Sequence, residues 1–152
     1  MKNKSCIIYL ISLCLISLSF TSLGIKEITW EDLSEVSYRN TFSPRHNTFY
    51  MKPIFGKDIQ HLNGDEIQIT GYVIPVDNMG DIFFLSENPN SSCYFCGAAT
   101  PHSIMALNLK NLPANYKTDE YLTFKGILNT HDNLEDLPYS LDNAELVKDD
   151  ED

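Results

Sequence analysis

Apolar residues occur in this chain in two regimes. From Ile7 to Phe20 they run almost without interruption, broken by Tyr9 and small hydroxyl residues; beyond Gly24 they fall in short runs separated by polar positions. The strongest later pattern has period two. Ile67, Ile69, Gly71 and Val73 alternate with Gln68, Thr70 and Tyr72, which predicts a strand with one buried face. Runs at Ile82 to Leu85, Ile104 to Leu109, Tyr121 to Leu128 and Tyr139 to Val147 predict four further strands, the first of them reached through the turn Asn78-Met79-Gly80-Asp81. Upstream the signal is helical. Thr29 can cap free backbone N–H groups, Asp32 stands at the reciprocal capping-box position, and Trp30, Leu33 and Val36 share a face. These predict a short helix that Trp30 packs onto the domain. Thr48 to Met51 reads as a brief extended run before Pro53, and Gly56 to Asn63 as a connecting turn or short helix ending at Asn63-Gly64.

Two of the predicted strands carry a glycine after alternating residues, Gly71 and Gly126. Glycine weakens a strand unless the backbone must bend or approach a neighbour closely, as at the corners of a small closed barrel. Five strands with bent first and fourth members, a tight connection between the first two and a longer excursion between the third and fourth match an OB-like Greek-key barrel. The fold class expected is therefore mainly all-β: a small five-stranded OB-like Greek-key barrel with a short N-terminal helix. Between Asn111 and Glu120, where such barrels often carry a helix, Pro113 and the short span leave room for a turn or so.

Length and composition agree with one domain. The chain has 152 residues, 43% hydrophobic and 21% charged, which suits neither a disordered segment nor a multi-pass membrane protein. The N-terminal apolar stretch has the marks of a secretory signal peptide: Lys2 and Lys4 before it, and Ser22-Leu23-Gly24 after it with small residues flanking a cleavage point. It is short for a stable anchor, and Leu13 before Cys14 is bulkier than a lipid-attachment motif allows. The expected organisation is a signal peptide over 1–24, the barrel domain over 25–147 and an acidic disordered tail over 148–152. Cleavage implies an exported protein, periplasmic or extracellular, with no transmembrane segment in the mature chain. Loss of 1–24 takes away Lys2 and Lys4 and leaves 9 basic against 21 acidic groups. Charge of that sign repels phosphate backbones, so nucleic acid is excluded as a partner.

Cleavage also removes Cys6 and Cys14 and leaves Cys93 and Cys96 in the turn-rich insertion between the second and third predicted strands. Two sulfurs at this spacing can share a tetrahedral metal or form a disulfide. Gly97 favours the metal, because a knuckle turn aiming N–H groups at thiolate sulfur often needs a positive φ. His102, six residues after Cys96, is the third candidate ligand, with a fourth to come from His131, His61, His46, a carboxylate or water. A structural disulfide competes, since exported proteins mature in an oxidising compartment. Thiol–disulfide catalysis is weaker: such enzymes place the pair at a helix N-terminus, and Gly97 to Pro101 is a poor helix. Tyr94 and Phe95 stand between the cysteines; leaving both in water would forgo up to about 3 kcal/mol of burial for the Phe, so one of them is expected to pack.

The remaining sequence offers little catalytic machinery. There is no Gly-rich phosphate loop, no His-Glu-x-x-His motif and no Gly-x-Ser-x-Gly elbow, and Glu135-Asp136 are adjacent carboxylates with no sign of burial.

Trp30-Glu31-Asp32-Leu33, then Leu62-Asn63-Gly64 leading into Ile69-Thr70-Gly71-Tyr72-Val73-Ile74-Pro75, then Cys93-Tyr94-Phe95-Cys96, resembles a family of small exported or lipid-anchored bacterial proteins known only as a domain of unknown function. The resemblance spans roughly residues 28 to 147. It departs after Cys96, where Gly97-Ala98-Ala99-Thr100-Pro101-His102 replaces the prolines and Asn-Gln pair common in proteobacterial members. The resemblance implies an envelope protein without established catalytic activity, in some cases associated with transport or metal-responsive genes. Together these readings lead us to expect an exported accessory or binding protein rather than an enzyme, with Cys93, Cys96 and His102 holding a metal such as zinc and an envelope protein as partner. The alternatives are an interaction module stiffened by a Cys93–Cys96 disulfide and a thiol–disulfide oxidoreductase.

Overall fold

The computed structural model describes residues 24–76, 80–90, 100–112 and 114–147. Residues 1–23 of the expected signal peptide, Cys93, Cys96 and the aromatics between them, Pro113 and the acidic tail all lie outside the described residues. Among those described, the strands in chain order are β1 (Lys26–Glu27), β2 (Val36–Ser43), β3 (Thr48–Phe55), β4 (Glu66–Pro75), β5 (Phe83–Ser86), β6 (Ile104–Leu109), β7 (Tyr121–Thr130) and β8 (Tyr139–Leu146). One α-helix, α1 (Lys57–Leu62), precedes β4, and single 3-10 turns occupy Asp32–Ser34 and Pro101–Ser103.

The last five strands close into a barrel. β4 runs antiparallel to β5, with Val73 opposite Leu85; β5 runs antiparallel to β6, with Leu85 opposite Met105. β6 lies parallel to β8, pairing Leu107 with Leu141, and β8 is antiparallel to β7, where Leu128 meets Leu141. Antiparallel pairing of β7 with β4, Phe124 opposite Ile69, completes the circuit. The parallel β6–β8 contact, with β7 on the far side of β8, gives the Greek-key crossing of an OB-like barrel. The fold class expected from alternation is the one observed.

Period two has this result because each inward residue of β4 meets inward residues of two neighbours. Ile67, Ile69 and Val73 are fully buried, as are Leu85, Met105, Phe124, Leu128 and Leu141. Each such side chain contributes about 1.5–3 kcal/mol relative to exposure. Gly71 lies where β4 leaves β7 and turns toward β5; a Cβ there would stand 2.7 Å from the Ser86 carbonyl oxygen and 3.0 Å from Leu85 Cγ. Gly126 occupies the matching bend in β7, where the register with β8 shifts between Lys125 and Ile127. There a Cβ would stand 2.8 Å from the Asp142 carbonyl oxygen. Both glycines are thus required by close backbone approach.

The N-terminal region keeps the predicted capping contact but a shorter helix. The Asp32 carboxylate accepts the Thr29 N–H at 2.7 Å and the Thr29 hydroxyl at 2.8 Å. The segment so capped is a single 3-10 turn, because Val36 already begins a strand. Trp30 is nearly buried and its indole N–H donates to the Thr70 carbonyl at 2.8 Å, so it packs the N-terminal turn onto β4 as expected. The brief extended run at Thr48 to Met51 is part of an eight-residue strand paired with β2, from Val36 opposite Phe55 to Ser43 opposite Thr48. Short polar residues in Ser37, Asn40, Thr41 and Ser43 hide this hairpin from a hydrophobicity pattern. In α1, Ile59 and Leu62 face the same core as Trp30 and Leu33.

Candidate functional site

The β5–β6 loop leaves and re-enters the barrel at one place. Its stems are the buried serines Ser86 and Ser103. The Glu87 N–H donates to the Ser103 carbonyl at 3.0 Å, the Ser86 hydroxyl donates to the same carbonyl at 3.4 Å, and Asn88 N–H donates to the Ser86 hydroxyl at 3.2 Å. On the returning side, both the N–H and the hydroxyl of Ser103 donate to the Thr100 carbonyl, at 3.0 and 2.8 Å. Further out, the Asn90 N–H donates to the Asp119 carboxylate at 2.7 Å, tying the loop to the β6–β7 connection. Short hydroxyl side chains so placed satisfy backbone groups that a strand ladder no longer serves.

His102 sits in the returning stem, inside the Pro101–Ser103 turn. Its Nε2 lies 2.9 Å from the Thr100 hydroxyl oxygen. Its Nδ1 is enclosed and has no hydrogen-bond partner among the described residues. A buried polar nitrogen left in that state costs about 1–3 kcal/mol. In the tautomer with its proton on Nε2, the ring donates to the Thr100 hydroxyl and Nδ1 carries a lone pair. An imidazole whose second nitrogen donates to a neighbouring oxygen has the arrangement of a metal-binding histidine. The Thr100 contact is the feature that sequence reasoning missed; Thr-Pro-His, which starts a 3-10 turn at Pro101, was the available signal.

The other histidines lie elsewhere. His131 Nε2 is 2.9 Å from the Ser140 hydroxyl, and its backbone N–H donates to the Pro138 carbonyl. His46 stands in the β2–β3 turn, its Nδ1 3.1 Å from the Ser43 hydroxyl and its Nε2 3.0 Å from Glu135. His61 lines an acidic cleft of about 420 Å³ with Glu31, Asp32, Glu35 and Asp58. In that cleft the Asp32 carboxyl is held below the usual carboxylate range by its bonds from Thr29, so it is occupied in capping. Among the described residues no group of three or more His, Cys, Asp or Glu side chains is arranged to hold a metal ion; Cys93 and Cys96 are not among them.

Beside Pro101 the hairpin creates a groove of about 370 Å³, lined by Tyr38, Met51, Pro53, Pro101, Leu134 and Pro138. It opens next to the candidate histidine because the hairpin lies against the β7–β8 connection: Lys52 pairs with Asp132 at 2.7 Å and the Tyr50 hydroxyl donates to the Asp132 carbonyl at 3.2 Å.

Comparison with protein-family models gives no match. Comparison with curated proteins gives none either. Among solved structures, the chain is similar to the crystal structure of a DUF3299 family protein from Pseudomonas aeruginosa PAO1, at 12% sequence identity and a TM-score of 0.45, over 84% of this chain and 99% of that one.

Proposed function

We propose that this chain is an exported accessory or binding protein of a bacterial envelope, whose Cys93–Cys96 loop binds a metal such as zinc together with His102. The observation that carries the reading is the enclosed Nδ1 of His102, without a hydrogen-bond partner among the described residues, on the stem of the loop that bears both cysteines. Thiolates at Cys93 and Cys96 with one imidazole are the donor types a tetrahedral zinc site uses, and a fourth position would fall to water or a carboxylate. Such an ion would cross-link a turn-rich loop that otherwise has few apolar residues with which to fold. Export is supported by the charged start and apolar run of the first 24 residues. Among the described residues no helix is long and apolar enough to cross a membrane.

Zinc and thiol content measured on protein isolated from an envelope fraction tests this. The expected result is one zinc per chain, released by a chelator with the appearance of two titratable thiols. Protein without metal whose two thiols appear only after reduction would replace the zinc site with the disulfide-stiffened interaction module. Turnover of a disulfide substrate through a low-pKa Cys93 would replace it with an oxidoreductase.

A further inference from the structure

The β2–β3 hairpin forms its own two-stranded sheet beside the barrel sheet, and its two faces differ. One carries Arg39 opposite Lys52 and Thr41 opposite Tyr50; the other carries Tyr38 opposite Pro53, Asn40 opposite Met51 and Phe42 opposite Phe49. At the base of this second face Pro53 is buried and Phe55 packs on the Tyr139 ring at 5.5 Å. Toward the tip the same face is uncovered. The Phe42 and Phe49 rings pack together with centroids 5.1 Å apart, yet are 45% and 65% exposed, and Met51 is 58% exposed. Phe49 and Met51 line the groove of about 370 Å³ together with Pro101, Leu134 and Pro138. An apolar recess and a projecting pair of rings thus stand side by side.

The charges around them are only partly matched. Lys52 is paired with Asp132 and His46 with Glu135, each within the chain. Asp136, which also lines the groove, is hydrogen-bonded to Asn133 and forms no ion pair with the described residues. Arg45, in the exposed turn at residues 44–47, forms none with them either. The recess therefore calls for an apolar group accompanied by a cation, and the hairpin tip supplies both. A surface of this kind is self-complementary about a two-fold axis, where one residue meets a second on the other copy and the second meets the first. We propose that two copies of this chain dock through this face, the Phe42 and Phe49 rings of each entering the groove of the other and Arg45 of each meeting Asp136 of the other. Residues 36–57 contain no Asp or Glu, so two chains with 21 acidic and 11 basic side chains apiece can approach here with little repulsion. An anionic lipid surface fits worse, because Asp132, Glu135 and Asp136 flank the rings and Arg39 lies on the opposite face.

The test is the mass of the full chain in sedimentation velocity across a range of protein concentration, with charge reversals on the two exposed partners. The parent should pass from monomer to dimer as concentration rises. Arg45→Glu and Asp136→Arg should each raise the dissociation constant by at least about 30-fold, since each sets like charges against one another at two symmetric contacts. The double variant restores opposite charges and should return to within about 3-fold of the parent. Phe42→Ser, which leaves the loop around Asn133 untouched, should weaken the dimer as well. Arg39→Glu makes the same change of charge on the other face and should leave it unaltered. A monomer at every concentration would overturn the proposal. So would association indifferent to both reversals, which would assign it to the apolar run of residues 7–20, or a double variant no stronger than either single one.

Discussion

The phenolic hydroxyl of Tyr139, at the start of β8, donates a 2.8 Å hydrogen bond to the backbone carbonyl of Leu33, 106 residues earlier in the chain. Tyr139 is fully buried and its ring also packs on Phe55 at the hairpin base. One side chain thus joins the N-terminal turn, the hairpin and the barrel. That gives a direct measure of how tightly the N-terminal elements belong to the domain. Tyr139→Phe keeps the ring and leaves the Leu33 carbonyl without its partner, so it should cost about 1–2 kcal/mol in urea denaturation, with unchanged m-value. A midpoint equal to that of the parent protein would mean that water replaces the hydroxyl and that the N-terminal turn is looser than the bond implies.

Burial, assisted by nearby Tyr38, pushes the Tyr139 phenol above its ordinary pKa of 10.0. The neutral form is the one favoured in the folded protein. Below pH 10 both folded and unfolded chains keep the proton and this group adds no pH dependence. Above it the unfolded chain loses the proton first, so stability falls as pH rises. Denaturation midpoints across the alkaline range should decline, and phenolate absorbance from Tyr139 should appear only together with unfolding. In Tyr139→Phe the alkaline decline should be shallower. An identical slope in both proteins would place the proton loss elsewhere.

The barrel was legible in the sequence because two constraints of a sheet are written locally. Alternation in Ile67, Ile69 and Val73 marks the buried face, and glycine at 71 and 126 marks the bends. The β2–β3 hairpin was not, because only its base is buried against the barrel: Phe42, Phe49 and Met51 are exposed, and no period links them to a core. The capping pair Thr29 and Asp32 was legible, but the helix it announced ends after one turn, where the chain must extend to pair with β3. At the candidate site, sequence could nominate His102 as a ligand type. It could not show that Thr100 engages one nitrogen and that the other is enclosed, since both depend on how the stem folds back on Ser86.

Gly71 and Gly64 resist substitution for different physical reasons. At Gly71 a Cβ would approach the Ser86 carbonyl oxygen to 2.7 Å, and backbone atoms there cannot move aside without disturbing the β4–β5 ladder. Gly71→Ala should destabilise by about 2–3 kcal/mol. Gly64 has φ of +89° with no atom near its would-be Cβ, so Gly64→Ala meets only backbone strain, about 1 kcal/mol. Thermal melts of both variants should rank Gly71→Ala below Gly64→Ala. The reverse order would show that β4 can shift at the bend, and that its curvature is not fixed by this contact.

Thr100 provides the most discriminating probe of the proposed metal site, because its hydroxyl touches the imidazole of His102 and is not itself one of the proposed ligands. Its hydroxyl lies 2.9 Å from His102 Nε2 on an exposed part of the stem. Thr100→Val preserves shape and removes the oxygen. Surface changes of that kind usually alter stability by less than about 0.5 kcal/mol, so the fold should be indifferent. Zinc affinity should not be. Without the hydroxyl the ring loses the contact that orients it, and affinity should fall about 10- to 100-fold, as for other outer partners of ligating histidines. His102→Ala should lower it at least as far, and in every variant affinity should decline toward acid pH, because both thiols, and the imidazole where it is present, must be free of their protons to bind. Competition with a chromophoric chelator measures each value. Equal affinity in Thr100→Val and the parent would separate His102 from the metal, leaving Cys93 and Cys96 to act without it.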